Sequence, residues 1–563
     1  MPERTRRGPP RPTSPTPPAD RPPAGPRRRA FTQAALAAPW VLVGPLGLGA
    51  CGGSGDEGND PPPRPIFPPA PPPLPAGPPV FGPPWPGFAG GAQHVAQAAL
   101  ASQPLARVRW RTPVDLAPPY STTGSLRAHY GSPVISARNT VVLPLKQRAD
   151  GGFRFEGRRG SNGELLWSLD SDLVLPPHDW VPVVNPVITA ANRLVAPRAG
   201  GRLLVRADVD AATAPASSTA FYGDNVYVAA PAAYDATVRI HTPLTADAAG
   251  NVFFGFVVTG ANPAGLTSGI ARVGASGTGT WVAAAAAAGD AGMGQVAMNC
   301  APALSADGAT LYIAVNSPPG ARQRGRLLAL DSATLATRAS APLLDPASGT
   351  AAWVSDNATS SPTVGPDGDV YVGVLEAGAP AHHFRGWLLH FDAALGTSKT
   401  PGSFGWDTTA AVVPASAVPA YRGSSAYLLA TKYNDYYGAG GTGQHRIALL
   451  DPHAAEPDRI TPGVAVMREV ISQLGPTPDP QVPEIYGGVK EWCINTMAVD
   501  VASRSILVNN EDGLLYRWDL VANHLVEPVV LTSGLGAAYT PTAVGPDGAV
   551  YAINNATLFS VVQ

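Results

Sequence analysis

Cysteine is almost absent: three in 563 residues, Cys51, Cys300 and Cys493. That is too few for a disulfide scaffold, and no Cys-Xaa-Xaa-Cys or Cys/His spacing suggests a zinc site. Charge is also scarce, at 14% of residues with a net of −2. A nucleic-acid partner, which needs a basic face, is therefore not expected. No Gly-Xaa-Ser-Xaa-Gly elbow, phosphate loop or His-Glu-Xaa-Xaa-His helix occurs, so the common hydrolase and nucleotide-binding signatures are missing. What is plentiful is punctuation, with 61 Gly and 63 Pro. Proline clusters before residue 105, while glycine recurs at intervals after it. The first pattern favours extended chain and the second favours many short strands joined by turns.

Residues 1–50 read as an export address. Arg28 and Arg29, followed by Phe31, look like a twin-arginine (Tat) signal ahead of the apolar stretch Ala34–Ala50. Small residues then precede Cys51, which resembles the lipobox cysteine of bacterial lipoproteins, acylated in that family. The long arginine- and proline-rich start is either an extended leader or a misassigned translation start. The expected location is membrane-anchored, in the periplasm or at the cell surface, with the outer membrane preferred. Residues 51–104 are expected to form a stalk. Fifteen prolines fall within residues 61–86. In polyproline II such a run reaches about 80 Å. A docking site for a partner domain is the other reading.

Residues 105–563 repeat. Ser361-Pro362-Thr363-Val364-Gly365-Pro366-Asp367-Gly368 matches Thr540-Pro541-Thr542-Ala543-Val544-Gly545-Pro546-Asp547-Gly548, and a third copy begins at Ala301-Pro302. Weaker copies start near Pro133, Pro186, Pro243 and Asn495, and a degenerate one spans Val413–Thr431. In each unit a short strand meets an Asp-Gly turn, expected as a two-residue hairpin, and a return strand follows. A third strand ends at Asp, as in Arg326–Asp331, Trp387–Asp392 and Leu515–Asp519. Four short antiparallel strands per unit predict an all-β propeller of eight blades, with seven as the alternative. Arg107–Arg111 is expected to complete the last blade. Trp281–Gly292, with six consecutive alanines, suggests a short inserted helix. Residues 452–490 read as the longest insertion.

These motifs resemble the pyrroloquinoline-quinone (PQQ)-type repeat family, which includes quinoprotein dehydrogenases and an outer-membrane-assembly lipoprotein. The resemblance implies the architecture and leaves function open, because one scaffold serves many roles. Where innermost strands begin, His129, Asn185, His241, Asn299, Ser360, Asn495 and Tyr539 would ring a channel mouth. The most pointed run is Lys490-Glu491-Trp492-Cys493-Ile494-Asn495. A quinone would want an aromatic floor and a cation, with Glu and Asn on calcium, and these residue types are present. The adjacent cysteine pair of the dehydrogenases is not. Candidate ligand-binding residues are therefore Lys490, Glu491, Trp492, Asn495, His129, His241 and Asn299, without a catalytic residue or a metal site. Cys300 and Cys493 are expected as buried free thiols, with a disulfide as the alternative in an oxidising compartment. Tyrosines in Lys432–Tyr437 are candidates for stacking on sugars or a partner, with packing within the loop as the equal alternative. The first reading is a monomeric binding or scaffold propeller for an envelope protein or small ligand. The alternative is a quinoprotein-like oxidoreductase with PQQ and Ca²⁺.

Overall fold

In the computed structural model, residues 66–121, 125–320, 322–356, 360–533 and 539–563 are described. Arg28, Arg29, Phe31 and Cys51 lie outside them. The strands gather into eight sheets that form a propeller ring. The first blade is Val134–Ile135, Thr140–Arg148, Gly151–Arg159 and Leu165–Asp170, paired in that order. The fifth has three full strands, and isolated bridges from Leu388 to Gly402 and Phe391 to Ser398 mark its fourth position. Inner strands are apolar along their whole length because neighbouring blades cover both faces: Val370–Val374 is buried throughout. The outer strand Thr337–Pro342 is mostly exposed or half-buried.

The turns follow their residues with one correction. Gly308, Gly368 and Gly548 have φ of 71°, 89° and 78°, the left-handed conformation that glycine adopts without strain. Gly365 N–H bonds to the carbonyl of Asp369, so the loop holds three residues rather than two. The Asp side chain closes it, accepting from the Asp369 N–H at 3.1 Å. The alanine run forms the helix Ala284–Ala288, ended by Gly289 at φ 63°. Much of the 452–490 insertion is the long hairpin Arg446–Pro457 with Ala465–Leu474 of the sixth blade.

The ring closes as expected. Arg107–Pro113 pairs antiparallel with Thr557–Val562, Arg107 opposite Val562 and Pro113 opposite Thr557. The residues just before it behave differently from a free stalk. Ile66 bridges Ser533, and Phe67 lies 6.3 Å from Phe559 beneath the Arg111 guanidinium. Further on, the Leu74 carbonyl accepts from Asn162 and the Gly77 N–H donates to Ser161. Gly82 touches the eighth blade so closely that a Cβ there would sit 2.9 Å from the Pro546 carbonyl oxygen. The chain then enters the central channel. Trp85 exchanges backbone hydrogen bonds with Ile135 of blade one, at 2.8 and 2.9 Å. Ile188, Leu304, Val364, Val412 and Val499 donate their N–H groups to the carbonyls of Pro86, Ala92, Gln93, Val95 and Ala96 at 2.8–3.0 Å. These donors belong to blades two, four, five, six and seven. Residues 82–103 therefore form a plug, and the stalk expected to run to residue 104 is corrected accordingly. Trp85, Phe88, Ala89, His94 and Ala96 are all buried.

Trp85→Ala should cost about 3–5 kcal/mol in chemical denaturation, because it empties a fully packed site. Phe81→Ala, four residues earlier and 80% exposed, should stay within about 0.5 kcal/mol.

Candidate functional site

The inner-strand entrances carry two polar patches, linked through Ser361 and Thr409: Ser361 donates to the Asn299 carbonyl, and Thr409 accepts from the Ser361 N–H and donates its own N–H to the Asn495 carbonyl. In the first, His129 sits between blades one and eight, its ring 4.2 Å from Tyr539 and 5.1 Å from Trp180. Tyr539 reaches past blade seven to donate its hydroxyl to the Asp407 carbonyl at 2.7 Å. The Asn495 amide donates to the same carbonyl at 3.2 Å. The Asp407 carboxylate is ion-paired with Lys432, and both side chains are fully buried. The Lys432 ammonium also lies 5.0 Å from the centre of the Tyr539 ring. Burial raises the Asp407 pKa, opposed by the Lys432 charge.

Behind this pair stands a second buried acidic group. The Glu491 N–H donates to Glu511 at 2.9 Å, and the Glu491 carboxyl accepts from Tyr436 at 3.0 Å and Asn434 at 3.4 Å. Burial first, and the Glu511 charge second, push Glu491 well above the usual carboxylate range. Burial also pushes Glu511 up to about 7. Trp492 is fully buried edge-on to Tyr516, and its indole N–H has no partner among the described residues. Lys490 turns away to Asp479 at 3.0 Å.

The second patch holds His241 and Asn299. The Asn299 N–H bonds to the His241 carbonyl, while its side chain accepts from Val183 and donates to the Asp356 carbonyl. Burial lowers the His241 pKa to about 4, with the Asp356 charge opposing, so the ring is neutral at ordinary pH. Asn185 and Ser360 are spent on local bonds to Ser132, Pro186 and Gly373.

Cys300 is a buried free thiol whose pKa burial raises to about 12, which makes it inert. Cys493 is disulfide-bonded, not a free thiol as expected. Of the Lys432–Tyr437 tyrosines only Tyr437 is exposed, its ring 5.3 Å from that of Tyr486; Tyr433 and Tyr436 point inward. Asp367, Asp369 and His453 bring potential ligand atoms within 4.8 Å of one another. Lys399, at 2.7 Å from Asp369, and Tyr427, at 2.8 Å from Asp367, already answer those carboxylates. Sequence reasoning did not single out Asp407, Asp356 or Glu511, and it passed over Lys432 as a site residue. One signal was present: a single lysine inside an apolar strand, Tyr427–Tyr433. Lys146 in Thr140–Arg148 repeats it, buried and paired with Asp115 at 2.8 Å.

At the level of sequence no protein family matches the chain, and no curated protein matches it. Solved structures do. A europium-containing methanol dehydrogenase superposes with a TM-score of 0.51 at 9% identity, over 84% of this chain and 89% of that one. The likeness shows the fold, a PQQ-like propeller, and nothing finer. A quinohemoprotein alcohol dehydrogenase from Pseudomonas putida HK5 gives 0.47 at 12% identity, over 85% of this chain and 76% of that one. Sqt1 of Chaetomium thermophilum gives 0.42 at 13% identity, over 84% and 98%.

The residues nominated for a quinone and calcium do not fit that group as they are placed. Trp492 has no open face to act as a floor. Glu491 is buried, and its carboxyl already accepts from Tyr436 and Asn434. The Asn495 amide and the Lys490 ammonium are committed to Asp407 and Asp479.

Two outcomes follow. Lys432→Met should cost about 3–5 kcal/mol, because it leaves the Asp407 charge buried alone, and adding Asp407→Leu should restore much of that loss. Glu511 titrates higher in the folded chain than its ordinary 4.5, so stability falls as pH rises from about 4.5 to about 7. In pH-dependent denaturation Glu511→Gln should remove that slope, gaining roughly 3 kcal/mol at most over the parent at pH 8 and little at pH 4.

Proposed function

We propose that this chain is an exported, lipid-anchored β-propeller that acts as a binding or scaffold protein at the cell envelope. The observation that carries this reading is that the channel is filled from within. The plug of residues 82–103 lines its inner strands, and the Lys432–Asp407–Tyr539 group occupies the strand entrances. Among the described residues the polar side chains there answer one another, as in a structural network. The outer surface becomes the working part, and it carries exposed Ile485, Tyr486 and Tyr437 together. Apolar and aromatic side chains presented in this way suit a protein partner or a small ligand.

The anchor and the route rest on Cys51 and on Arg28, Arg29 and Phe31. Among the described residues no helix is long and apolar enough to cross a membrane. A lipid on Cys51 would hold the propeller at the membrane, with the outer membrane preferred, and it needs the same thiol that a disulfide from Cys493 would use, since Cys300 is free. The quinoprotein alternative gains nothing from the nominated residues.

The test uses protein purified after export from its native host. An absorption spectrum without a quinone band, and metal analysis without stoichiometric calcium, are the expected results. A quinone chromophore with bound calcium would overturn the binding reading. Mass spectrometry should find a thioether-linked lipid on Cys51, and Cys51→Ser should move the protein to the soluble fraction. A Cys51 held in a disulfide instead would sink the anchor.

A further inference from the structure

The plug satisfies the inner edges of the propeller unevenly. The inward-facing N–H of each innermost strand falls at equivalent positions: Ile135, Ile188, Ala246, Leu304, Val364, Val412, Val499 and Val544. Six of these donate to carbonyls of the plug. At blade eight the plug runs beside the hairpin instead, with the Gln103 N–H bonded to the Gly548 carbonyl. At blade three it swings away. Phe88–Gly90 forms a short 3-10 turn, with Gly90 at φ 82°, and rejoins the inner edges only at Ala92 on blade four. Among the described residues the Ala246 N–H has no bond of this kind. Where the plug leaves the edge, a cavity of about 570 Å³ opens, bounded by Phe88, Val187, Ile188, Leu244, Thr245 and Ala246. That volume suits one short ligand segment.

We propose that this cavity is a peptide-binding site, in which an extended apolar segment of a partner protein gives a main-chain carbonyl to the Ala246 N–H and seats a side chain among Phe88, Val187 and Leu244. The chemistry is the one the plug itself uses on six other blades: a main-chain carbonyl against an inner-strand N–H, with apolar side chains filling the space beside it. The site is continuous with that interface, and addition of a segment to an open strand edge is a general mode of peptide recognition. The rim carries Arg138 against Asp210 and Asp247. Both acids are already bonded, Asp210 to Ser136 and Asn192 and Asp247 to Asn251. The rim therefore carries one cation against two carboxylates whose oxygens are already engaged, and binding of an uncharged segment is driven by apolar burial and the main-chain bond. This inference rests on the binding reading above and names a surface for it.

Gly91 gives a clean test. It lines the cavity, its φ of 164° is extended backbone open to any residue, and a Cβ there meets nothing within 4 Å. Gly91→Trp should fill the cavity and leave the melting temperature unchanged. The probe is a positional-scanning library of fluorescent, acetylated hexapeptide amides read by anisotropy on the whole protein. The expected result is saturable binding that requires an apolar residue at one position and changes little with salt. Gly91→Trp and Ala246→Pro should each weaken it at least about tenfold. Equal binding to a folded Gly91→Trp variant overturns the proposal, as does failure of every peptide below about 1 mM. Cavity binding of palmitate but of no peptide overturns the ligand class. In-cell cross-linking separates the two readings: a partner whose yield is unchanged by Gly91→Trp sinks this site alone, and a parent protein that cross-links to no partner sinks the binding reading itself.

Discussion

Every blade of a propeller ends at the axis in a strand with one unpaired edge. A buried N–H without an acceptor is costly, and a ring of eight such edges would need water or a ligand to answer it. Here the chain answers it with its own backbone. The carbonyls of Pro86, Ala92, Gln93, Val95 and Ala96 take the N–H groups of successive blades, and Trp85 does so in both directions with Ile135. Much else follows from that choice. The channel is occupied, the short inner strands are held at fixed height, and the proline-rich stretch from Ile66 to Gly82 is drawn across the outside of blades eight and one. Prolines suit that stretch, since an extended surface strap needs few donors and loses little freedom on being fixed.

At the strand entrances the protein spends charge to organise polar groups. A fully buried Lys432–Asp407 pair costs more to desolvate than a well-packed apolar pair, so its use is geometric more than stabilising. Its carboxylate takes the ammonium, and its backbone carbonyl gathers Tyr539 and Asn495 from blades eight and seven. Behind it, burial holds the Glu491 and Glu511 carboxyls above the usual carboxylate range.

Much of the architecture was legible because its determinants are local. The Pro-initiated inner strand, the Asp-Gly turn and the Asp that ends the third strand recur within a dozen residues, and those fragments suffice to predict blades and closure. The plug was not legible. Its proline content matches a free polyproline II stalk, and only the aromatics Trp85 and Phe88 and the tight glycine at Gly82 hint at burial. The entrances were half legible. Their polar residues, such as His129, Asn495 and Tyr539, could be named from the strand starts. Their partners could not, because Asp407, Lys432 and Tyr539 meet only after three blades close around the axis. Trp492 and Lys490 looked like cofactor residues by type, whereas packing and the Asp479 loop had already claimed them.

The path of the plug also bears on how the molecule assembles. Residues 85 to 97 meet the blades in the order in which the blades are made, first through seventh, with the third passed over. A chain emerging from the ribosome can therefore lay each new inner strand onto a stretch of backbone that already exists. The strand that follows, Arg107–Pro113, has no partner until Thr557–Val562 appears. Contacts of such long range are slow to form. Until then the domain is an open arc wound on its own leader, with the edge of its outermost waiting strand exposed to aggregation. Any quality control that handles this protein must shield that one strand for almost the whole time of synthesis.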